Sequence, residues 1–124
     1  MNSIVLKLFF VISFCILCVV SSSKSEELSL IIDIGARNFT DTTRSGDWML
    51  LFYSGSCGHS KRFMPTYRRL ARHLNREQSP VKCARIDCET DENLDLCIAL
   101  DVKGYPTMQL MTENGVRHKF DKKR

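Results

Sequence analysis

The sequence predicts a single α/β domain, because short strand-like segments alternate along the chain with segments of helical periodicity. The clearest strand is a nearly continuous apolar run from Asp47 to Tyr53. A helical pattern follows it within a few residues, with apolar side chains at three- and four-residue spacings. A length of 124 residues is that of one domain.

The other elements are predicted by the same two periodicities and by turn residues between them. In chain order we expect strand 28–33, helix 39–44, strand Trp48–Tyr53, helix 57–76, strand 81–87, helix 91–100, strand Thr107–Met111 and strand 116–120. The long helix has an apolar stripe made of Phe63, Met64, Tyr67, Leu70, Ala71 and Leu74, with basic residues on much of its other face. The next helix is expected to pack through Leu94, Cys97, Ile98 and Leu100, and an Asn114-Gly115 turn joins the last two strands.

The N-terminus has the features of a secretory signal peptide. Lys7 precedes an unbroken apolar stretch from Leu8 to Val20, and three serines then supply small residues for cleavage. A membrane anchor needs about twenty apolar residues. Residues 1–23 are therefore predicted to be a cleaved signal and 24–124 the mature domain, without stable membrane insertion, although retention as an uncleaved anchor stays open.

The candidate site is Cys57-Gly58-His59-Ser60, a C-x-x-C redox motif with serine in the second cysteine's place. In a dithiol motif the first thiolate attacks a substrate disulfide, and the second cysteine releases the substrate by closing an internal disulfide. Cys57 begins a predicted helix, where unpaired N–H groups lower the pKa of a thiol. The sequence therefore predicts a nucleophilic Cys57 and a Ser60 that cannot complete the second step.

Several motifs in the same order resemble the protein disulfide isomerase branch of the thioredoxin family. Residues 52–59 are similar to the family's F-Y-A-P-W-C-G-H segment, 85–88 to its K-V-D-[AC] strand end, and 102–107 to its V-x-G-[YF]-P-T signature. The resemblance runs from about Leu28 to the C-terminus. It implies a thioredoxin-like fold, with a central mixed β-sheet flanked by helices and a cis proline at Pro106 beside the active-site sulfur.

The resemblance also implies roles for individual residues. Cys57 is the expected catalytic thiol, His59 is expected to stabilise its thiolate, and Tyr105 and Pro106 are expected to bind an extended client segment. No cofactor is implied. The expected activity is thiol-disulfide exchange on unfolded or cysteine-containing client proteins in the endoplasmic reticulum lumen or outside the cell, with weak oxidase activity. A redox-silent binding module that holds unfolded chains in the same groove is the alternative.

The chain departs from the family pattern at Ser60, Ser56 and Leu51, and after its last strand. Ser56 replaces a tryptophan of the substrate platform, and Leu51 replaces a buried glutamate that assists proton transfer at the second sulfur. Since a chain without that sulfur has no need of the carboxylate, the changes at Ser60 and Leu51 agree with each other. The final helix of the family is not expected here, which would leave an apolar sheet face bare, as in a truncated form or a domain completed by association.

The remaining cysteines and histidines are expected to be structural. Cys15 and Cys18 leave with the signal, and Cys83 is expected to be a small buried core residue. Domains of the resembling family carry cysteines near Cys88 and Cys97, and both a bridge between them and two free thiols stay open. No metal is expected, because the spacing of zinc ligands is absent and His59, His73 and His118 fall on three different predicted elements.

Modification and charge complete the prediction. Asn38-Phe39-Thr40 is an N-glycosylation acceptor, which requires Asn38 to be exposed. The formal net charge is +4, and its basic residues are concentrated on the long helix and in the C-terminal tail. No nucleic-acid recognition motif accompanies them, so a solvated helix face is the interpretation we favour.

Overall fold

The computed structural model describes residues 3–8 and 30–120. Residues 3–8 are helical, whereas most of the predicted signal segment and its cleavage site lie outside the described residues. Within the described ranges, no helix is both long enough and apolar enough to cross a membrane.

The predicted elements are all present in the predicted order. They are β1 (Ile31–Asp33), α1 (Phe39–Thr43), β2 (Trp48–Tyr53), α2 (Gly58–Arg76), β3 (Lys82–Asp87), α3 (Asp91–Ala99), β4 (Thr107–Met111) and β5 (Arg117–Lys119). Several are shorter than predicted. All three residues of β1 pair with β3, and residues 28 and 29 of the predicted strand lie outside the described residues. Helix α2 starts at Gly58, since Cys57 is its N-cap.

The strands form one five-stranded mixed sheet in the order β1-β3-β2-β4-β5. Strands β1, β3 and β2 run parallel, whereas β4 is antiparallel to β2 and β5 is antiparallel to β4. The register pairs Phe52, near the end of β2, with Thr107, at the start of β4. The loop after β2 and the residues before β4 therefore meet at one edge of the sheet, and this brings Cys57 and Pro106 together.

Both faces of β2 are covered, which explains why this strand is apolar at nearly every position. Leu50 and Phe52 point into a cluster that also contains Trp48 and residues of β3 and α3. Leu51 points to the opposite face, where it packs in a cluster with Tyr67 of α2. Leu50, Leu51 and Phe52 are fully buried. The apolar stripe predicted for α2 is confirmed, since its members are buried or half-buried.

The predicted packing face of α3 is confirmed at Cys97 and Leu100, which are buried, but wrong at Leu94 and Ile98, which are 45% and 64% exposed. The helix buries Asn93 together with Cys97. The reason is that Asn93 makes two hydrogen bonds to backbone groups outside α3 that an apolar side chain could not make. Its Oδ1 accepts from the Ala36 N–H at 2.8 Å, and its Nδ2 donates to the Asp87 carbonyl at 2.9 Å.

The hairpin between β4 and β5 forms where Asn114-Gly115 predicted it. Gly115 has a φ of +76°, a conformation that favours glycine, and its N–H donates to the Thr112 carbonyl at 2.8 Å. Strand β5 is the last element of the described residues, and Phe120, directly after it, is 51% exposed.

Candidate functional site

Cys57 lies at the junction between β2 and α2. The loop Ser54–Ser56 leads out of the sheet, and Cys57 is the N-cap residue of the helix. Its N–H donates to the Ser54 carbonyl at 3.2 Å, and its own carbonyl accepts from the Lys61 N–H at 3.1 Å. The side chain is half-buried, so the sulfur is fixed by the backbone and still reachable from solvent.

The start of α2 lowers the pKa of the Cys57 thiol below its ordinary value, as the sequence predicted. The largest cause is a hydrogen bond from the backbone N–H of Ser60, followed by one from the N–H of His59. The Ser60 hydroxyl and the charge of Arg62 act in the same direction. The folded protein therefore stabilises the thiolate form, which is the nucleophile in disulfide exchange.

Ser60 occupies the inner position of the motif and is only 2% exposed. Its Oγ accepts from the Ser54 N–H at 3.3 Å, and the hydroxyl also hydrogen-bonds to the Cys57 sulfur. A serine here cannot form a disulfide. It can, however, donate a proton to a hydrogen bond that favours the thiolate.

His59 is exposed on the first turn of α2. Its Nδ1 lies 3.0 Å from Nη2 of Arg62, and because a guanidinium only donates, this ring nitrogen accepts. The backbone N–H of His59, rather than its imidazole, is the group that supports the thiolate in this geometry.

Tyr105 and Pro106 lie beside the sulfur. The Tyr105–Pro106 peptide bond is cis, and the Cys57 Sγ is 3.9 Å from the Tyr105 carbonyl oxygen. Pro106 also lines a groove of about 580 Å³ between the first turns of α2 and the start of β4. Its other lining residues are His59, Arg62, Phe63, Thr66, Thr107, Met108 and Phe120. The lining of the groove is thus partly apolar, through Phe63, Met108 and Phe120, and partly basic, through Arg62.

Leu51 is fully buried and is the register partner of Arg85 on the neighbouring parallel strand. Partners in parallel strands point to the same face, so Arg85 also lies beneath α2. Its guanidinium forms a two-bond ion pair with Asp33, at 2.5 and 3.0 Å, and lies 5.8 Å from the centre of the Tyr53 ring. Position 51, where the resemblance implies a buried glutamate, therefore holds a buried apolar side chain whose register partner is a cation.

Glu89 belongs to this site, although it is part of none of the sequence motifs. Its Oε2 accepts from the Ser56 N–H at 2.8 Å and from the Ser54 hydroxyl at 3.1 Å. The pKa of the Glu89 carboxyl is lowered, most of all by a hydrogen bond from the Ser56 hydroxyl, and then by those from the Ser56 N–H and the Ser54 hydroxyl. Two hydroxyl residues in the loop before Cys57 were the only signal in the sequence that this loop needed an acceptor.

Cys88 and Cys97 form a disulfide that links the end of β3 to α3, with their Cα atoms 6.0 Å apart. Among the described residues the free cysteines are Cys57 and Cys83. Cys83 is buried, as the sequence predicted, and burial raises the pKa of its thiol. The two free thiols therefore differ in both exposure and ionisation.

The other residues singled out from the sequence lie away from Cys57 in the fold. Asn38 is exposed at the N-cap of α1, where its Oδ1 accepts from the Gly35 N–H at 2.9 Å. His73 and His118 are exposed on α2 and β5. Within residues 3–8 and 30–120, no three histidine, cysteine, aspartate or glutamate side chains are grouped so that they could hold a metal ion.

Comparison with known proteins agrees with this geometry. The sequence profile described as thioredoxin matches residues 31–124. Protein disulfide-isomerase of Ricinus communis is 32% identical over 107 residues, which are 86% of this chain and 22% of that protein. The chain thus spans about a fifth of the length of this curated relative.

Two solved structures extend the comparison. The first thioredoxin domain of mouse protein disulfide-isomerase A4 has a TM-score of 0.64 and 30% identity, over 74% of this chain and 64% of that domain. Thioredoxin F from spinach chloroplast, short form, has a TM-score of 0.63 and 24% identity, over 73% and 79% of the two chains, and shows the fold alone. The predicted fold class, an α/β thioredoxin-like sheet flanked by helices, is confirmed.

Proposed function

Since the chain belongs to the thioredoxin family, we propose that it is a thiol-disulfide exchange protein that acts on client proteins through one cysteine, Cys57. The main support for this proposal is the geometry of Cys57. A half-buried thiol of lowered pKa lies at the N-cap of α2, and a buried serine hydroxyl lies where a second thiol would be. Similarity to protein disulfide-isomerases supports the class of reaction.

The first step is attack by the Cys57 thiolate on one sulfur of a client disulfide. A bond forms between Cys57 and the client, the client's own sulfur–sulfur bond breaks, and the second client sulfur leaves as a thiolate and takes a proton from water. Ser60 cannot displace the client, so the mixed disulfide persists. The step exchanges one disulfide for another, with no net oxidation.

Release then depends on a thiol from outside this chain. When another cysteine of the client attacks the bound client sulfur, a new client disulfide forms and Cys57 leaves as a thiolate, which amounts to isomerisation. When no such thiol is near, the client stays attached and is retained. The same site therefore acts as an isomerase or as a thiol trap, depending on the client.

The groove next to Pro106 suggests where the client lies. We propose that an extended client segment contacts Tyr105 and Pro106, while side chains beside its cysteine enter the groove lined by Phe63 and Met108. Arg62, at the end of the groove near the sulfur, favours clients with an acidic residue close to the cysteine.

The test is capture of a small client protein with scrambled disulfides. Wild type should give a covalent adduct on a non-reducing gel and partial recovery of client activity. Cys57→Ser should give neither, whereas Cys83→Ala, which removes the other free thiol, should behave as wild type. If alkylation of Cys57 abolishes the adduct but leaves both client binding and the recovery of client activity intact, the chain is a redox-silent binding module instead.

We propose further that residues 1–23 are a cleaved signal and that the protein works in the endoplasmic reticulum lumen or after secretion. The apolar stretch after Lys7 and the exposed position of Asn38 support this proposal. Intact mass spectrometry of protein made in a secretory cell line should show loss of the signal and a glycan at Asn38. A mass that still includes residues 1–23 would indicate an uncleaved anchor.

A further inference from the structure

The carboxylate of Glu89 joins the loop before Cys57 to the end of β3. Besides the bonds from the Ser56 N–H and the Ser54 hydroxyl, the two serine hydroxyls lie 3.2 Å apart and hydrogen-bond to each other. One carboxylate thus holds both hydroxyl residues of a three-residue loop. Position 89 is 35 residues from Ser54, so this contact exists only in the folded chain.

Ser54 connects Glu89 to Cys57, because it hydrogen-bonds to both residues. It is only 7% exposed and is bonded at three groups. Its hydroxyl donates to Glu89, its carbonyl accepts from the Cys57 N–H, and its N–H donates to the Ser60 hydroxyl. A displacement of Ser54 would therefore move both the N-cap and the hydroxyl that supports the thiolate.

The backbone of Glu89 is itself firmly held. The preceding residue, Cys88, is bonded to Cys97, and its N–H donates to the Tyr53 carbonyl at 2.8 Å. The Glu89 N–H donates to Oδ1 of Asp87 at 3.0 Å. The carboxylate therefore reaches the loop from a rigid base, while the loop has no regular secondary structure of its own.

We propose that Glu89 is a positioning residue for Cys57, whose carboxylate fixes Ser54 and Ser56 so that the N–H groups of His59 and Ser60 stay directed at the sulfur. This inference rests on the proposed function only in taking Cys57 as the reactive group. It predicts a specific sign. A negative charge near a thiolate raises the pKa of the thiol, so loss of charge alone would lower that pKa, whereas loss of alignment raises it.

The test is the pH profile of Cys57 alkylation in Glu89→Ala and Glu89→Gln. The glutamine keeps an acceptor oxygen without the charge. We expect the alanine variant to move the midpoint up by about half a pKa unit, which leaves about threefold less thiolate below both midpoints. The midpoint of Glu89→Gln should lie closer to that of wild type. The midpoint of Ser56→Ala should move up, as in Glu89→Ala. Glu92→Ala is the matched control, since that carboxylate is paired with Arg37.

The outcomes are distinct. A midpoint that falls in both Glu89 variants would mean that only charge acts, and an unchanged midpoint would mean that the contact is merely structural; either result overturns the inference. Circular dichroism of each variant checks the fold. Because Glu89 is exposed, its replacement should not unfold the protein. If wild-type Cys57 reacts no faster than Cys83, the proposed function fails first, which separates the two failures.

Discussion

At the residue scale, Cys57 and Cys83, the two free thiols of residues 3–8 and 30–120, lie in contrasting environments. Cys57 is half-buried and receives hydrogen bonds from the first turn of a helix, whereas Cys83 is 4% exposed in the core. The first environment favours the thiolate and the second favours the neutral thiol. Sequence neighbours alone distinguish them, since only Cys57 follows a strand and begins a helix.

We therefore expect Cys57 to be alkylated first. Because the pKa of Cys57 is lowered and that of Cys83 is raised, a reagent added near pH 6.5 should label Cys57 while Cys83 stays unmodified. The labelling rate of Cys57 should fall only as the pH drops through its lowered pKa. Peptide mapping after timed quenching measures both rates, and equal labelling of the two cysteines would contradict the assignment.

The departures at Ser60 and Leu51 allow a second prediction at this scale. Ser60→Cys should allow a disulfide with Cys57, but oxidase turnover should rise only weakly, because no buried carboxylate assists proton transfer at the second sulfur. Adding Leu51→Glu should raise turnover further, since general acid–base assistance is typically worth about 10²–10⁴-fold. Arg85, the register partner of Leu51, offers the new carboxylate a cation and reduces the cost of burying it.

A refolding assay with a reduced client compares the single and double variants. Leu51→Gln with Ser60→Cys is the control, because the amide has a similar size but does not transfer the proton. If Ser60→Cys alone reaches the rate of the double variant, Leu51 has no bearing on proton transfer and its role is strand packing.

At the element scale, the disulfide fixes the connection between β3 and α3. The bond joins residues nine apart in sequence. Both cysteines belong to the core cluster that contains Leu50 and Phe52 of β2. A buried polar contact, from Asn93 to Ala36 and Asp87, holds the same helix. Because α3 leaves Leu94 and Ile98 exposed, the disulfide and the hydrogen bonds of Asn93 attach this helix to the sheet where a longer apolar stripe would otherwise do so.

We expect replacement of both Cys88 and Cys97 by alanine to lower the free energy of unfolding. Closing a loop of about ten residues contributes about 2–3 kcal/mol through the unfolded chain. Urea denaturation of the double variant and of wild type measures the loss. Cys83→Ala is the matched control, since it removes a buried thiol but no bond, and a similar loss in both proteins would show that the bridge adds nothing beyond packing.

At the scale of the whole molecule, buried ionisable groups determine how stability depends on pH. Tyr67 lies between α2 and the sheet, where its hydroxyl is 2.8 Å from the Met49 carbonyl and 2.7 Å from the Ala84 carbonyl. Burial is the largest cause that raises the pKa of Tyr67, and it also raises the pKa of Cys83. Both groups are therefore held in their neutral forms by the fold.

The sign of the resulting pH dependence follows from proton linkage. In the unfolded chain these groups ionise near their ordinary values of 9.0 for cysteine and 10.0 for tyrosine, so above those values the unfolded state binds fewer protons. These two groups should cause no loss of stability below their ordinary values. Above about pH 9 for Cys83 and about pH 10 for Tyr67, each should lower stability by up to about 1.4 kcal/mol per pH unit. Cys57 has a lowered pKa, so its contribution to stability has the opposite pH dependence. It is lost as the pH falls through that lowered pKa and is fully present in the alkaline range.

Urea denaturation between pH 7 and 11 measures the slope. Tyr67→Phe and Cys83→Ala should each flatten the alkaline loss, although Tyr67→Phe also lowers stability at pH 7 by the hydrogen bond that it removes, about 1 kcal/mol. An alkaline slope that is the same in wild type and in both variants would mean that other groups cause it.

The order of elements, the position of Cys57 and the fold class could all be predicted from the sequence. These depend on local patterns: the apolar run of β2, the stripe of α2 and the motif at their junction. Serine at position 60 and leucine at 51 were likewise readable as departures, because each occupies a known distance from Cys57 along the chain.

What the sequence could not supply were contacts between distant segments. The burial of Asn93 depends on its contacts with Ala36 and Asp87. The bond from Glu89 to Ser54 and the pairing of Leu51 with Arg85 depend on the parallel register of β2 with β3. That register places residues about 35 positions apart side by side, and no local periodicity encodes it. The sequence by itself therefore determined which cysteine begins the helix after β2 and on which scaffold, and only the tertiary structure decided which groups hold that cysteine in place.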